Sequence, residues 1–336
     1  MRRLSFALAV LSMFACGKDP STGDDDGTDA GFTGDVYSLK WGPVSVPAGK
    51  EATQCIWMRL NNETEIKVHS MHNVLSESSH HLIVYKDDMD TTEQLTPIPC
   101  EPFTGALNTT GMVAPIAITQ KADDSIFLPD HVAYTFAPHQ MVKLEMHYLN
   151  SKDVAEDAVA TADFFAAEPS TIQHEASILF TGSMDISLPP GQTTTLHQFF
   201  AVPQYLDLSQ SKIFAMTGHT HALGTSVKVG IGPSKTGPFN PVYAPSPFSW
   251  SEPETKTFSE PFGIPVGGGM DFECTWNNTK TTTVTFGESA TKEMCFFWAY
   301  YYPSQGSKVC IHTDQYNGLN VCCPGDSLCS YIEGML

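Results

Sequence analysis

Six side chains able to bind a soft or borderline metal ion fall in four separated places of this 336-residue chain. His80 and His81 are adjacent in SSHHLIVY, and His147 lies in KLEMHYLN. His219 and His221 stand two apart in TGHTHALG, and Met294 sits in KEMCFFWAYYYP. Imidazole suits copper and zinc, whereas a thioether selects Cu(I) among biological metals. These donors are enough for one site of three histidines and one of two histidines and a methionine. Such a set fits copper that alternates between Cu(II) and Cu(I), and so points to oxygen or electron chemistry.

The elements that must carry these groups are strands. His80 and His81 precede LIVY, a short apolar run that reads as a buried strand. Neighbouring strand residues point to opposite faces, so two adjacent histidines on one metal need a twist, a bulge or a strand end. His147 follows MVKLEM, where Lys143 and Glu145 alternate with apolar residues as on a half-buried strand. His219 and His221 would project from one face of an extended strand. Met294 must come from a further strand. Each piece alone has a plainer reading: HxH and HH pairs are common, His147 suits a hydrogen-bonded core, and methionine is a routine gap-filler. His69, His72, His131, His139, His174, His197 and His312 have no comparable arrangement and read as structural or solvated, with H-x-x-H at His69 and His72 a decoy metal pair.

In order, the chain reads EATQC, HH, EMHY, SMDISLPPG, GHTHALG, CTWNNT, VTFGES and EMCFFWAYYYP. From about Cys55 to Pro303 this resembles the copper type II, ascorbate-dependent monooxygenases, which include the peptidylglycine α-hydroxylating and dopamine β-hydroxylating enzymes. Each motif is weak, but their shared order along the chain is specific. The resemblance implies two coppers per chain and ascorbate or another one-electron reductant as co-substrate. His80, His81 and His147 would hold the electron-transfer copper, and His219, His221 and Met294 the oxygen-binding copper. It also implies hydroxylation of a C–H bond of a small organic substrate by O2, and two tandem jelly-roll-like antiparallel β-sandwiches with the coppers facing across an interdomain cleft.

The chain departs from the peptide-amidating members at three positions. Thr217 stands where they carry arginine, Phe296 where they carry asparagine, and Trp298 where they carry tyrosine. Threonine cannot replace a bidentate arginine clamp on a carboxylate. A peptide ending in glycine is therefore not the expected substrate, and Phe296 and Trp298 suggest a more apolar or aromatic one.

The N-terminus starts MRR and continues with an apolar run from Leu4 to Ala15, an export signal too short for a membrane anchor. FAC at Cys16 resembles a bacterial lipoprotein cleavage site, so the expectation is a signal peptide over 1–16 with lipidation of Cys16, or else ordinary secretion. Residues 17–35 are rich in Gly, Asp, Ser and Thr and read as an acidic disordered tether. The other eight cysteines suit disulfides in an exported, periplasmic or cell-surface protein. Cys55–Cys100 and Cys274–Cys295 are the pairings that the family implies, whereas Cys310, Cys322, Cys323 and Cys329 allow three connectivities, with a zinc site near His312 the less favoured alternative.

Net charge is −19 without a basic cluster, which disfavours nucleic acid as a partner. No GxSxG, GxxxxGK[ST] or dinucleotide fingerprint occurs. Short strand-like runs punctuated by Pro, Gly and Asn predict an all-β fold, and the length suits two sandwiches. The expected division is an N-terminal copper domain over 36–168, a C-terminal copper domain over 169–305 and a Cys-rich tail over 306–336, in a monomer. The competing reading is an exported lipoprotein that only binds or buffers copper; a surface module that has lost turnover is the third.

Overall fold

The computed structural model describes residues 34–100, 112–287, 289–315 and 318–329. The expected leader, Cys16 and the tether up to residue 33 lie outside the described residues. Apart from the 3₁₀ turn Pro169–Thr171, the named elements are strands. The fold is all-β and of the expected tandem, jelly-roll-like sandwich class.

Two sheets are built almost wholly from the first half. One runs Val36–Val46, Glu156–Ala167, Ile66–Leu75, Val132–Phe136, His174–Glu175, with Asp123–Phe127 also paired to Ile66–Leu75. The other runs Gln94–Pro99, Glu51–Arg59, Met141–Leu149, Ser79–Asp87, Val113–Thr119. In the second half, a six-stranded sheet runs Thr255–Phe262, Lys212–His219, Cys295–Tyr302, Ser177–Ser183, Lys308–Thr313, Leu319–Cys323. It faces the four-stranded sheet Thr193–Ala201, Gly269–Asn277, Gly224–Gly232, Asn240–Tyr243.

Burial follows the two-residue period of strands. Along Cys295–Tyr302, Cys295, Phe297, Ala299 and Tyr301 enter the core between the two second-half sheets. Met294, Phe296, Trp298 and Tyr300 point the other way and join the core of the first half. Phe180 stacks on Phe296 at 4.9 Å in that layer, a contact of about 0.5–1.5 kcal/mol beyond area burial. The Ile118 N–H donates to the Tyr300 hydroxyl at 3.4 Å across the junction. The halves thus share an aromatic interface.

One expectation needs correction. LIVY is a fully buried strand as expected, but Met141–Leu149 is not half-buried. It lies between Glu51–Arg59 and Ser79–Asp87 and is buried along almost its whole length. Lys143 is accommodated inside by lying 4.6 Å from the Tyr85 ring centre and 3.5 Å from Glu145 Oε2. Phe296 and Trp298 are 1% and 2% exposed and pack against Phe180, with the Trp298 ring centre 6.1 Å from that of His219.

The disulfides Cys55–Cys100 and Cys274–Cys295 form as the family implies. The second joins the two facing sheets one residue from Met294. Cys310–Cys322 and Cys323–Cys329 settle the open connectivity and leave no thiol there for zinc. Lys308–Thr313 and Leu319–Cys323 add strands to the six-stranded sheet, Lys308–Thr313 pairing parallel with Ser177–Ser183.

Candidate metal centres

The adjacent histidines solve their geometric problem with a bulge. Ser79 pairs with Tyr148 and His81 with His147, so the ladder slips at His80. A bulge re-aims one side chain, and here both rings turn toward His147. Ring centres lie 4.9 Å apart for His81 and His147, and 5.2 Å apart for His80 and His147. One nitrogen from each of His80, His81 and His147 falls within 4.8 Å of the others. Among the described residues the other such group, Cys55, Cys100 and Glu145, contains a closed disulfide. The His69 and His72 pair forms no cluster there, and His72 Nε2 lies 3.0 Å from Asp123 Oδ1.

His147 owes its tautomer to Glu51. Thr53 is directly opposite His147, so Glu51 is the diagonal neighbour on the same face. Its Oε1 lies 2.9 Å from His147 Nε2. An ionised carboxylate only accepts, so Nε2 donates and Nδ1 keeps its lone pair for a metal. Burial pushes the Glu51 carboxyl up, but hydrogen bonds from Ala290 and His147 outweigh it and hold it below its ordinary value.

The second group lies at the end of Lys212–His219. His219 pairs with Phe296, and continuing that antiparallel register by two residues sets His221 opposite Met294. His221 is past the strand end, in a turn closed by the Gly224 N–H donating to the His221 carbonyl. A Cβ on Gly224 would lie 1.9 Å from Thr220 Oγ1, so only glycine fits. The two imidazole centres are 5.2 Å apart. His221 Nδ1 donates to the Lys292 carbonyl at 3.1 Å, and His219 Nδ1 donates to Gln120 Oε1 at 3.0 Å. Both therefore present Nε2. That atom of His219 is buried with no hydrogen-bond partner, as an imidazole awaiting a metal would be. Met294 is 3% exposed beside them.

Three positioning residues had escaped the sequence reading. Glu51 also accepts from the Ala290 N–H of the second half at 3.1 Å. Gln120 reaches from the first half to His219. Glu293 accepts from the His221 and Leu223 N–H groups and from Trp276 Nε1, at 2.8 to 2.9 Å. Thr217, where the amidating enzymes carry arginine, is buried and bonded to Thr255.

The five imidazoles are held neutral. Burial pushes His80 and His221 down to about 4, and His147 below its ordinary value. Burial and the charges of the neighbouring histidines push His81 and His219 well down. His219 and His221 contribute to the shift of His81, so the two groups lie within range of each other's charge. Unfolding returns each ring to about 6.5. For His80 and His221 the unfolded chain of the metal-free protein therefore binds more protons between about 6.5 and about 4, and each of the two removes up to ~1.4 kcal/mol of stability per pH unit there. Stability is full above that window and lost as pH falls through it. Calorimetry of the metal-free protein should show Tm falling from pH 7 to pH 5, with a shallower fall in His80→Gln; a flat profile contradicts the burial of neutral rings.

These features define a class: an all-β protein with paired clusters of neutral imidazoles, one beside a buried thioether. The particular family follows from comparison. Residues 174–321 match the model of the copper type II ascorbate-dependent monooxygenase C-terminal domain, so this stretch of the chain is similar to that family. The matched domain is that of oxidoreductases that depend on copper and ascorbate. Among solved structures, the major capsid protein P2 of bacteriophage PM2 is 10% identical, with 81% of this chain and 99% of that chain covered and a TM-score of 0.35. A structure of Sulfolobus Turreted Icosahedral Virus is 11% identical, with 77% and 59% covered and a TM-score of 0.18. These remote likenesses carry no argument about function.

Proposed function

We propose that the protein is a copper-dependent monooxygenase that hydroxylates a C–H bond of a small organic substrate with O2 and a one-electron reductant such as ascorbate. The carrying observation is that two ligand groups of different chemistry, one of three imidazoles and one of two imidazoles with Met294 next in register, lie within range of each other's charge, with His219 Nε2 buried and unpartnered. His80, His81 and His147 would hold one copper, and His219, His221 and Met294 the other, within copper domains over 36–168 and 169–305. Copper bound there supplies one-electron transfer and O2 activation.

The chain supplies the rest. The three-imidazole group accommodates either oxidation state, and the thioether biases its group toward Cu(I). Glu51, Gln120 and the Lys292 carbonyl fix which nitrogen of His147, His219 and His221 is free. With Thr217 in place of a carboxylate clamp, the substrate is not a peptide ending in glycine. Four disulfides agree with an oxidising compartment, and export with a lipid on Cys16 and a monomeric state belong to the same proposal.

Copper content after loading and desalting tests it, in wild type beside His147→Ala and Met294→Ala. The expected result is two coppers per chain, with each variant losing mainly its own, followed by substrate-dependent oxygen uptake in wild type. Two coppers without oxygen uptake across a substrate screen would favour the copper-buffering reading. One copper or none, or losses indifferent to these residues, would defeat the two-site assignment.

A further inference from the structure

Both ligand groups offer a metal ion only uncharged donors, since the five imidazoles are held neutral and the thioether carries no charge. The charge of a bound ion is therefore balanced from outside the ligand set, and there the two groups differ. The His147 ring meets a carboxylate: Glu51 Oε1 lies 2.9 Å from its Nε2. The His219 and His221 rings meet uncharged oxygens, Gln120 Oε1 and the Lys292 carbonyl. Glu293 stands near His221, but it spends its oxygens on the His221 and Leu223 N–H groups and on the Trp276 indole, not on a ligand ring.

Glu51 is pinned in that place from both halves. The Ala290 N–H donates to the same Oε1 at 3.1 Å. Ala290 belongs to a turn closed by the Lys292 N–H, which donates to the Ser289 carbonyl at 2.8 Å. Burial pushes the Glu51 carboxyl up, but the bonds from Ala290 and His147 hold it below its ordinary value, so it is ionised at neutral pH. Its side chain is 28% exposed, so water screens part of the charge. The remainder is felt at His80, His147 and His221, and its hydrogen bond to a ligand ring goes to His147.

We propose that Glu51 is a positioning residue that acts through His147 to hold down the reduction potential of copper at His80, His81 and His147, so that this site gives its electron to the one at His219, His221 and Met294. The inference rests on the two-copper monooxygenase reading. A carboxylate on the outer nitrogen makes an imidazole a more basic ligand, and outer hydrogen bonds and charge tune a metal's potential. Basicity and negative charge both favour the more highly charged ion, Cu(II), over Cu(I). The amide and carbonyl oxygens behind His219 and His221 do so less, and the thioether favours Cu(I). One electron therefore runs downhill from Cu(I) of the first group to Cu(II) of the second, with no bond made and no proton moved. The one-electron reductant, ascorbate or another, then returns the first copper to Cu(I).

The test is a redox titration of the copper-loaded full chain without oxygen, followed by the electron paramagnetic resonance of Cu(II), with Cu(I) and Cu(II) affinities measured by chelator competition. The step lost in His147→Ala marks the first site, and the step altered in Met294→Leu marks the second. Glu51→Gln keeps an oxygen for His147 and Ala290 and removes only the charge. It should weaken Cu(II) at the first site about 10-fold, the low end for an outer-shell partner because Glu51 is partly exposed, and leave Cu(I) within about 2-fold. A tenfold change in that ratio raises the first site's potential by about 59 mV, while the second site moves less. Glu51→Ala removes the acceptor as well and should weaken Cu(I) and Cu(II) together. Glutamine that restores Cu(I) affinity without restoring the potential separates charge from mere support of the fold. An unchanged or lowered first-site potential in Glu51→Gln, equal weakening of Cu(I) and Cu(II) in it, or a wild-type first site with the higher potential of the two would overturn the proposal and leave the two coppers in place. A chain that takes up no copper, or whose steps ignore His147 and Met294, fails the underlying reading and this inference with it.

Discussion

Replacing Met294 by leucine should cut reductant-dependent oxygen use by more than about 100-fold, because even an outer-shell partner of a metal ligand is worth about 10–100-fold. Leucine is the informative choice. Met294 is 3% exposed in the aromatic interface, and truncation to alanine would cost about 2–5 kcal/mol in packing alone. A volume-conserving swap costs less than about 1.5 kcal/mol, so the variant should remain folded. What it removes is the thioether, the only soft donor in its group and the one that favours Cu(I). His80, His81 and His147 lie on strands of the other half and should keep their copper. X-ray absorption of the reduced protein should lose its sulfur scatterer while histidine scattering persists. Unchanged oxygen uptake in Met294→Leu would remove the methionine from the oxygen site.

The sequence revealed groups whose partners are near in the chain and hid those whose partners are far. The His80 and His81 pair demanded a break in strand geometry, and the ladder slips there. The HxH pair was expected on one strand face; its second histidine instead sits in the following turn, because Gly224 closes the chain back on His221. Glu51 and His147 are 96 residues apart, and Gln120 and His219 are 99 apart. No local spacing reports such contacts. Lys143 and Glu145 misled because alternation marks two faces of a strand without saying what covers each; here Trp57 and Tyr85 lie around the lysine. Phe296 and Trp298 share the face that bears Met294, and that face is covered by the other half. Glu293 did leave a trace, as an acidic residue directly before an apolar strand.

That residue supports the second large expectation. Glu293→Gln should selectively weaken copper at His219, His221 and Met294 by about 10–100-fold, the usual cost of removing an outer-shell support. Glu293 is 1% exposed and faces donors: Oε1 takes the Leu223 N–H, and Oε2 takes the His221 N–H and Trp276 Nε1. Burial pushes its carboxyl up, against the lowering effect of these hydrogen bonds. The ionised carboxylate satisfies the donors with both oxygens. Glutamine keeps the shape but turns an NH2 toward an N–H, leaving at least one buried donor unpaired at about 1–3 kcal/mol. The strain falls on the turn that aims His221, one residue from Met294. The three-histidine group has no bond to Glu293 and should bind as before. A copper titration that resolves the two sites, with Tm measured alongside, separates the outcomes. Selective weakening of the second site with modest loss of Tm makes Glu293 the residue that shapes it; equal weakening of both sites, or of neither, would mean that the carboxylate only supports the fold.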